Sequence, residues 1–296
     1  MKILYSEEFL KYYERGHPES PERVKSIKEF LDKKDIGDFI NPVPCSEDDL
    51  LLAHTEELVR RVKENNFYDT DTPNIQNIYY YAKLSCGSAI NAAFTALNGE
   101  IAFSLGRPPG HHASRNTLGG FCYFNNMAVA VKKVLKEYKI KIALLDIDGH
   151  HGNGTEEILK GNEGVIYVSL HQYPAFPGTG TSSFNNCYNF PIFPGSTPEN
   201  YLQKFKKAID TIRDFSPDLV GISLGFDAHR TDPLLNLSLE DTHYYQMAKQ
   251  ISTITKNIFI ILEGGYNIKT VGNTCYCFLK GLLGGRNDDI KRDNGE

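Results

Sequence analysis

The sequence KIALLDIDGHHGNGT, residues 141–155, decides the predicted fold. It begins with an apolar run, 142–145, whose length and composition predict a β-strand buried on both faces. Asp148 and His150 follow this run, and their spacing of two would place both side chains on one side of extended backbone, where they could bind one metal ion. A cation would also offset the cost of burying carboxylates at a strand end. The stretch alone leaves a second interpretation open, an acidic turn in which Thr155 caps a helix that starts at the next residue.

Composition restricts the class of protein. The chain has 296 residues, enough for one large α/β domain, and no repeat or linker divides it, so we predict a single domain over 1–296. A formal net charge of −5 argues against nucleic acid or an anionic membrane as the main partner. No apolar run is long enough to span a bilayer, and the first residues become charged too early for a signal peptide. The six scattered cysteines then favour reduced thiols and a cytoplasmic location.

Strand-like and helix-like segments alternate along most of the chain. The predicted strands are 3–5, 101–105, 142–145, 165–170, 219–224 and 258–262, and the main predicted helices are 75–97, 125–138, 156–159, 198–215 and 239–255. Ser20 followed by Pro21 predicts a further helix start. Strands joined by helix-length connections imply right-handed crossovers and a mainly parallel sheet covered on both faces. This pattern predicts a doubly wound α/β fold.

Polar motifs follow five of the predicted strands. In chain order they are RPPGHH, DIDGHH, HQYPAFPGTG, GFDAH and EGGYN. Ligands of open α/β sheets bind beyond the carboxyl ends of the strands, so these five segments should meet in one crevice.

These motifs resemble those of the zinc-dependent histone deacetylase family, with its acetylpolyamine amidohydrolase and acetoin-utilisation relatives. The matching blocks are HPESPER, RPPGHHA with GGFCYFN, DIDGHHGNGT, VSLHQYPAFPGTG, GFDAHRTDPL and LEGGYN, in family order. Their spelling is similar to that of the class II and prokaryotic branch. The resemblance implies the arginase/deacetylase fold, with an eight-stranded sheet.

The resemblance implies two metal sites. Asp148, His150 and Asp227 match the ligands of the catalytic ion, which leaves a coordination position open for water and substrate. The ion would be zinc, with ferrous iron as an alternative, because imidazole and carboxylate ligands suit both. The residues that resemble an inner monovalent-cation site, usually potassium, are Asp146, Ser169 and Leu170.

The resemblance also implies the catalytic groups. His111 and His112 match the tandem histidines that activate the water and protonate the leaving amine, two functions that amide hydrolysis requires. Asp146 matches the partner of His111, and Asn153 occupies the corresponding position behind His112, where some relatives have aspartate. Tyr266 matches the hydroxyl that hydrogen-bonds the substrate carbonyl opposite the metal.

A narrow acyl-lysine tunnel is the substrate site that the resemblance implies. Phe121 and Phe176 match its two aromatic walls, and Gly120 permits close backbone approach. Asp71 aligns with the aspartate at the rim that binds the substrate backbone. Leu234 aligns with the tunnel mouth, where polyamine-selective relatives have glutamate, so its apolar side chain favours acyl-lysine over an acetylated polyamine.

Three functions remain in competition on this evidence. The first is a metal-dependent amidohydrolase that removes acetyl or a short acyl group from a small-molecule or peptide amine, with an acetylpolyamine deacetylase as its variant. The second is an arginase-like dinuclear hydrolase, suggested by Asp227-Ala228-His229. The third is a non-catalytic acyl-lysine-binding scaffold, which would be expected to lack a ligand or the tyrosine. The oligomeric state stays open.

Two further residues attract attention. Arg23 lies in the first turn of a predicted helix, where a cation gains nothing from the helix dipole, so it needs another partner, in a surface salt bridge or at a functional site. Cys122 lies near the two histidines, but a metal site makes a cysteine nucleophile unnecessary, and a buried structural cysteine is the commoner case.

Overall fold

One parallel β-sheet organises the molecule. The computed structural model describes residues 1–293, and the side chains as far as residue 284. Within them eight strands form a single sheet in the order β2-β1-β3-β8-β7-β4-β5-β6, and every neighbouring pair is parallel. The strands are β1 Lys2–Leu4, β2 Asp38–Ile40, β3 Ala102–Ser104, β4 Ile142–Asp146, β5 Val165–Gln172, β6 Cys187–Ile192, β7 Leu219–Leu224 and β8 Ile258–Leu262.

Helices cover both faces of this sheet. They are α1 Pro21–Lys33, α2 Glu47–Leu50, α3 Glu56–Lys63, α4 Ile78–Leu97, α5 Asn126–Glu137, α6 Asn153–Leu159, α7 Pro198–Phe215, α8 Asp241–Ile251 and α9 Val271–Asp293, with a short 3-10 helix at Glu7–Leu10. Side chains of β4 alternate between two hydrophobic cores. Ala143 and Leu145 pack with α1, α7, α8 and α9, whereas Ile142 and Leu144 pack with α3, α4 and α5. The predicted doubly wound α/β fold is therefore confirmed, with a sheet that is entirely parallel.

The differences from the sequence-based prediction lie at the sheet edges and at helix ends. Of the predicted helices, 75–97 begins later, at Ile78, and 239–255 is shorter, at Asp241–Ile251. The six predicted strands are present within a few residues, but β2 and β6, which form the two edges of the sheet, were missed. Thr155 does not cap a helix. It lies inside α6, which begins two residues earlier at Asn153, and it is buried with its hydroxyl against Asn125. In the part of the chain that the structure describes, no helix has the length and hydropathy needed to cross a bilayer.

The carboxyl ends of the parallel strands lie along one edge of the sheet. Asp146, the last residue of β4, is in register with Ser169 of β5 and Ser223 of β7. The segments after β3, β4, β5, β7 and β8 therefore leave the sheet side by side, and they contain the five polar motifs.

Candidate active site

Three side chains from two neighbouring strand ends converge on one point. Asp148 and His150 follow β4, Asp227 follows β7, and one ligand atom from each lies within 4.8 Å of those of the other two. Both carboxylates are buried, and His150 Nδ1 lies 2.6 Å from Asp227 Oδ2. In the described part of the chain this is the single group of three or more such ligands. None of the other described carboxylates joins this group, as an arginase-like dinuclear centre would require.

Backbone amides fix the two carboxylates. Asp148 Oδ1 accepts from His150 N at 2.9 Å, and Asp148 Oδ2 accepts from Gly264 N at 2.7 Å. Asp227 Oδ1 accepts from Gly149 N at 2.6 Å. These bonds orient the oxygens, and the remaining lone pairs stay available to an ion.

The charge balance of this triad fits a divalent cation. Burial, and after it the Asp148 carboxylate, raises the pKa of Asp227 to about 7. Burial opposes protonation of His150, but the carboxylates of Asp148 and Asp227 outweigh it and raise its pKa to about 10. These shifts reflect the excess negative charge of two buried carboxylates, and a divalent ion bound to them and to one imidazole would compensate that charge.

Gly264 allows the oxygen atoms of the site to approach one another. A Cβ at this position would lie 2.5 Å from Asp148 Oδ2, 3.0 Å from Asp227 Oδ2 and 3.2 Å from the Tyr266 hydroxyl. The tyrosine hydroxyl thus reaches the same small space as the carboxylates of Asp148 and Asp227. A side chain at residue 264 would fill that space.

The tandem histidines each have a partner behind them. His111 Nδ1 donates to Asp146 Oδ2 at 3.1 Å, and His112 Nδ1 donates to Asn153 Oδ1 at 2.9 Å. Asp146 is itself held by the Tyr167 hydroxyl at 2.9 Å. Because Nδ1 carries the proton in His112, the lone pair of that ring is on Nε2 when the ring is neutral.

The two imidazoles differ in charge. Burial opposes protonation of His111, but Asp148 and Asp146 more than offset it and raise its pKa to about 10. Burial, reinforced by the positive charge of His111, lowers the pKa of His112 well below its ordinary value. The surroundings therefore favour the cationic form of His111 and the neutral form of His112.

Tyr266 is supported from behind by Arg23. The Arg23 guanidinium lies 4.8 Å from the centre of the Tyr266 ring and donates to the Gly265 carbonyl at 2.7 Å. It also donates to the Glu263 carbonyl and pairs with Glu19 at 3.0 Å. Arg23 is fully buried, so the alternative of a surface salt bridge was wrong. Its partners are backbone carbonyls next to Tyr266 and the buried carboxylate of Glu19. Burial raises the pKa of Tyr266 well above its usual range, so the hydroxyl keeps its proton.

A cavity of about 240 Å³ leads from the surface to these groups. Its lining contains all five residues expected at the substrate site: Asp71, Gly120, Phe121, Phe176 and Leu234. His112 of the RPPGHH motif, His150 of the DIDGHH motif and Tyr266 complete the lining. The Phe176 ring stands edge-on to His112, with 5.0 Å between ring centres, and the Phe121 ring stands edge-on to Tyr266 at 5.7 Å. We call this cavity the tunnel.

The wall around residue 120 has an unusual backbone. Gly120 has φ +57°, and a Cβ there would lie 2.6 Å from His112 and 2.9 Å from Phe176. Phe121 also has a positive φ, +70°, which costs energy for a bulky residue. The Thr72 hydroxyl accepts a hydrogen bond from the Phe121 amide at 3.0 Å, and the His17 ring packs against the Phe121 ring with 4.5 Å between ring centres. The surrounding contacts thus hold Phe121 in a strained position at the tunnel wall.

The remaining expected residues lie close to this site. Asp146 and Ser169 are neighbours across β4 and β5, and Leu170 follows within β5. The Ser169 hydroxyl lies 2.8 Å from His171 Nδ1. Cys122 is buried with its thiol toward the Gly120 carbonyl, and burial raises its pKa well above the ordinary value, which disfavours the thiolate that a nucleophile needs.

Two buried carboxylates at the site were not singled out from the sequence. Glu263 accepts from the amides of Gly110 and His111, at 2.8 and 3.2 Å. Asp232 accepts from the amide of Tyr266 at 2.7 Å. Their only signal was their place inside the LEGGYN and GFDAHRTDPL motifs.

Comparisons with known proteins agree with this geometry. Residues 17–282 match the histone deacetylase domain. The chain is 36% identical over 292 residues to a probable deacetylase of Archaeoglobus fulgidus, an alignment that covers 90% of this chain and 81% of that protein. The crystal structure of the HDA15 HD domain superposes with a TM-score of 0.89 at 32% identity, covering 96% of this chain and 88% of that one. An acetylpolyamine aminohydrolase from Burkholderia pseudomallei superposes with a TM-score of 0.88 at 24% identity, covering 95% and 98%, and shares the fold.

The chain therefore belongs to the histone deacetylase family, as its motifs indicated. Its class is that of a deacetylase or amidohydrolase, and it has the single-domain fold of that family. Members of the family are generally metal-dependent, and the triad of Asp148, His150 and Asp227 offers a possible site for the ion.

Proposed function

We propose that the protein is a zinc-dependent deacylase that removes acetyl or a short acyl group from the side-chain amine of lysine. The observation that carries this proposal is the tunnel. Phe121 and Phe176 line it together with His150 of the triad, His112 and Tyr266. An extended methylene chain with an amide at its tip fits this combination of apolar wall and polar end.

In this proposal Asp148, His150 and Asp227 hold the divalent ion, zinc or alternatively ferrous iron. When bound, the ion supplies a Lewis acid that polarises the acyl carbonyl and acidifies the attacking water. Asp146, Ser169 and the Leu170 carbonyl would hold a potassium ion on the inner side of the same strand ends. Their adjacency across β4 and β5 supports this second site.

The two histidines have different roles, and His112 moves the protons. The lone pair on His112 Nε2 takes a proton from the attacking water and returns it to the departing amine. Asn153 supports this role because it holds the opposite nitrogen of the ring as a donor. Asp146 accepts from His111 Nδ1 and favours the charged form of that ring, which supports a role for His111 in stabilising the negative charge that develops nearby.

The Tyr266 hydroxyl donates to the developing oxyanion. Its raised pKa supports this role, since only the protonated phenol can donate. Replacing Tyr266 by phenylalanine removes this donor and little else, so we expect kcat for an acetyl-lysine peptide to fall roughly 10²–10³-fold with metal content unchanged. The matched control is Tyr138→Phe at an exposed position on the end of α5, which should leave kcat unchanged. Normal turnover by Tyr266→Phe would refute the assignment.

Leu234 supports acyl-lysine as the substrate class, because its apolar side chain at the mouth offers no partner to the second ammonium of a polyamine. A specific observation favours acetylpolyamines as the second candidate. Asp69 and Asp71 line the rim cavity beside the tunnel, and none of the described lysine or arginine side chains forms an ion pair with either. We also propose a cytoplasmic location, which the six free thiols support.

A further inference from the structure

A buried aspartate connects the metal-ligand loop to the tyrosine. Asp232 lies in the turn five residues after Asp227 and is 8% exposed. One oxygen accepts from the backbone amide of Tyr266 at 2.7 Å, and the other accepts from the amide of Leu234 at 2.9 Å. The first amide belongs to the residue that would bind the carbonyl, and the second to the residue at the tunnel mouth.

The Asp232 carboxylate is stabilised by hydrogen bonds rather than by an ion pair within the described residues. In the described part of the chain no lysine, arginine or histidine forms an ion pair with Asp232, and burial raises its pKa to about 6. A buried carboxylate without a cation is unfavourable unless hydrogen bonds satisfy it, and here each oxygen has one amide donor. These two hydrogen bonds therefore offset the cost of burying the carboxylate.

The loop 264–267 is held at each of its residues. Gly264 N donates to Asp148, the Gly265 carbonyl accepts from Arg23, and Asn267 donates to the Thr231 carbonyl at 2.9 Å. Asp232 is the partner of the remaining residue, Tyr266, at its amide. The first two contacts fix the loop beside the metal ligands. The Asp232 contact fixes the backbone of Tyr266, and with it the point from which the tyrosine side chain extends.

We propose that Asp232 is a positioning residue for the reaction, which sets the position of the Tyr266 hydroxyl relative to the acyl carbonyl. This inference rests on the proposed role of Tyr266 as the carbonyl donor. The hydrogen bonds of Asp232 run to backbone amides, so it acts through the tyrosine backbone. The same side chain fixes Leu234, so it couples the inner end of the tunnel to its mouth.

Asp232→Asn is the informative substitution. A carboxamide has one oxygen and one NH₂ group, so it can accept from one of the two amides but presents a donor to the other. We expect the tyrosine to shift and kcat to fall roughly 10- to 100-fold, since a misplacement of about 1 Å can cost 10² in rate. Metal content should stay at the wild-type level.

A double-mutant cycle separates positioning from general damage. If Asp232 acts through the Tyr266 hydroxyl, Asp232→Asn should lower kcat less than about 3-fold in the Tyr266→Phe background, because the group that it positions is already absent. A purely structural role would reduce kcat by the same factor in both backgrounds. The matched control is Asp241→Asn, since Asp241 also accepts two hydrogen bonds, from Asn273 and Thr274, neither of which lines the tunnel. Its effect should be independent of Tyr266.

The outcomes are distinguishable. Normal kcat for Tyr266→Phe alone refutes the proposed function, whereas a slow Tyr266→Phe combined with an undiminished effect of Asp232→Asn refutes the positioning role. If Asp232→Asn does not fold, Asp232→Ser, which retains one acceptor, replaces it in the cycle. If neither variant folds with metal bound, Asp232 is a structural residue and the inference is wrong.

Discussion

Glu263 makes the stability of this protein depend on pH in a predictable way. Its carboxyl is fully buried at the end of β8 and accepts three hydrogen bonds, from the amides of Gly110 and His111 and from the Ser223 hydroxyl at 3.2 Å. Burial outweighs the favourable charge of His111 and raises the pKa of the Glu263 carboxyl from 4.5 to about 7. The folded chain thus binds this proton more tightly than the unfolded chain does.

The sign and size of the effect follow from linkage. Between pH 4.5 and 7 the unfolded chain releases the proton while the folded chain keeps it, so rising pH lowers the free energy of unfolding. A shift of about 2.5 pKa units is worth roughly 3 kcal/mol in total, and roughly 2–3 kcal/mol of it falls between pH 5 and pH 8. Above about pH 7 the loss is complete.

Glu263→Gln removes the charge and keeps the hydrogen bonds. The amide oxygen can accept from Gly110 and His111, and the NH₂ group can donate to the Ser223 hydroxyl. We therefore expect the free energy of unfolding of the variant, relative to wild type, to be roughly 2–3 kcal/mol larger at pH 8 than at pH 5, so that the variant is relatively more stable at pH 8.

Urea unfolding at the two pH values measures this difference. Both proteins are compared metal-free in the presence of chelator, so that metal release contributes to neither. Glu163→Gln, at an exposed position in the loop before β5, is the matched control and should show no pH-dependent change relative to wild type. A Glu263→Gln variant whose relative stability is the same at pH 5 and pH 8 would refute the buried-charge argument.

Two further substitutions test the ends of the tunnel. Asp227→Ala should lose both bound metal and turnover, because it removes one of three ligands, and metal analysis with a kinetic assay would contradict the ligand assignment if the variant kept both. Leu234→Glu should shift the ratio of kcat/KM toward N8-acetylspermidine and away from an acetyl-lysine peptide, because a carboxylate at the mouth attracts a second ammonium. Leu51→Glu, at a similarly exposed leucine outside the tunnel lining, is its control, and an unchanged ratio for Leu234→Glu would count against the role of Leu234.

The central strands of the sheet could be predicted from the sequence, but the two edge strands could not. β4, β7 and β8 are continuous apolar runs because both of their faces are buried, and this pattern is recognisable. β6 contains Pro191 and alternates buried with half-buried residues, and β2 has three residues, one of them half-buried. Edge strands of this kind depend on tertiary pairing rather than on their own composition.

The same division applies to the site. Residues that follow a strand end, such as Asp148 and Tyr266, could be placed in one crevice from the order of strands and motifs. The partners of Arg23 and the contacts of Asp232 depend on loops that are distant along the chain. Arg23 meets Gly265 across 242 positions, and no local pattern indicates such a contact.

The most direct test of the central claim is acetate release from an acetyl-lysine peptide by the metal-loaded protein, before chelation, after chelation and after reloading with zinc or ferrous iron. We predict turnover by the loaded protein, its loss on chelation and its return on reloading. Acetate release that persists at the full rate without metal would contradict metal dependence. A loaded, folded protein that releases no acetate from acetyl-lysine peptides or acetylated polyamines would contradict the deacylase assignment.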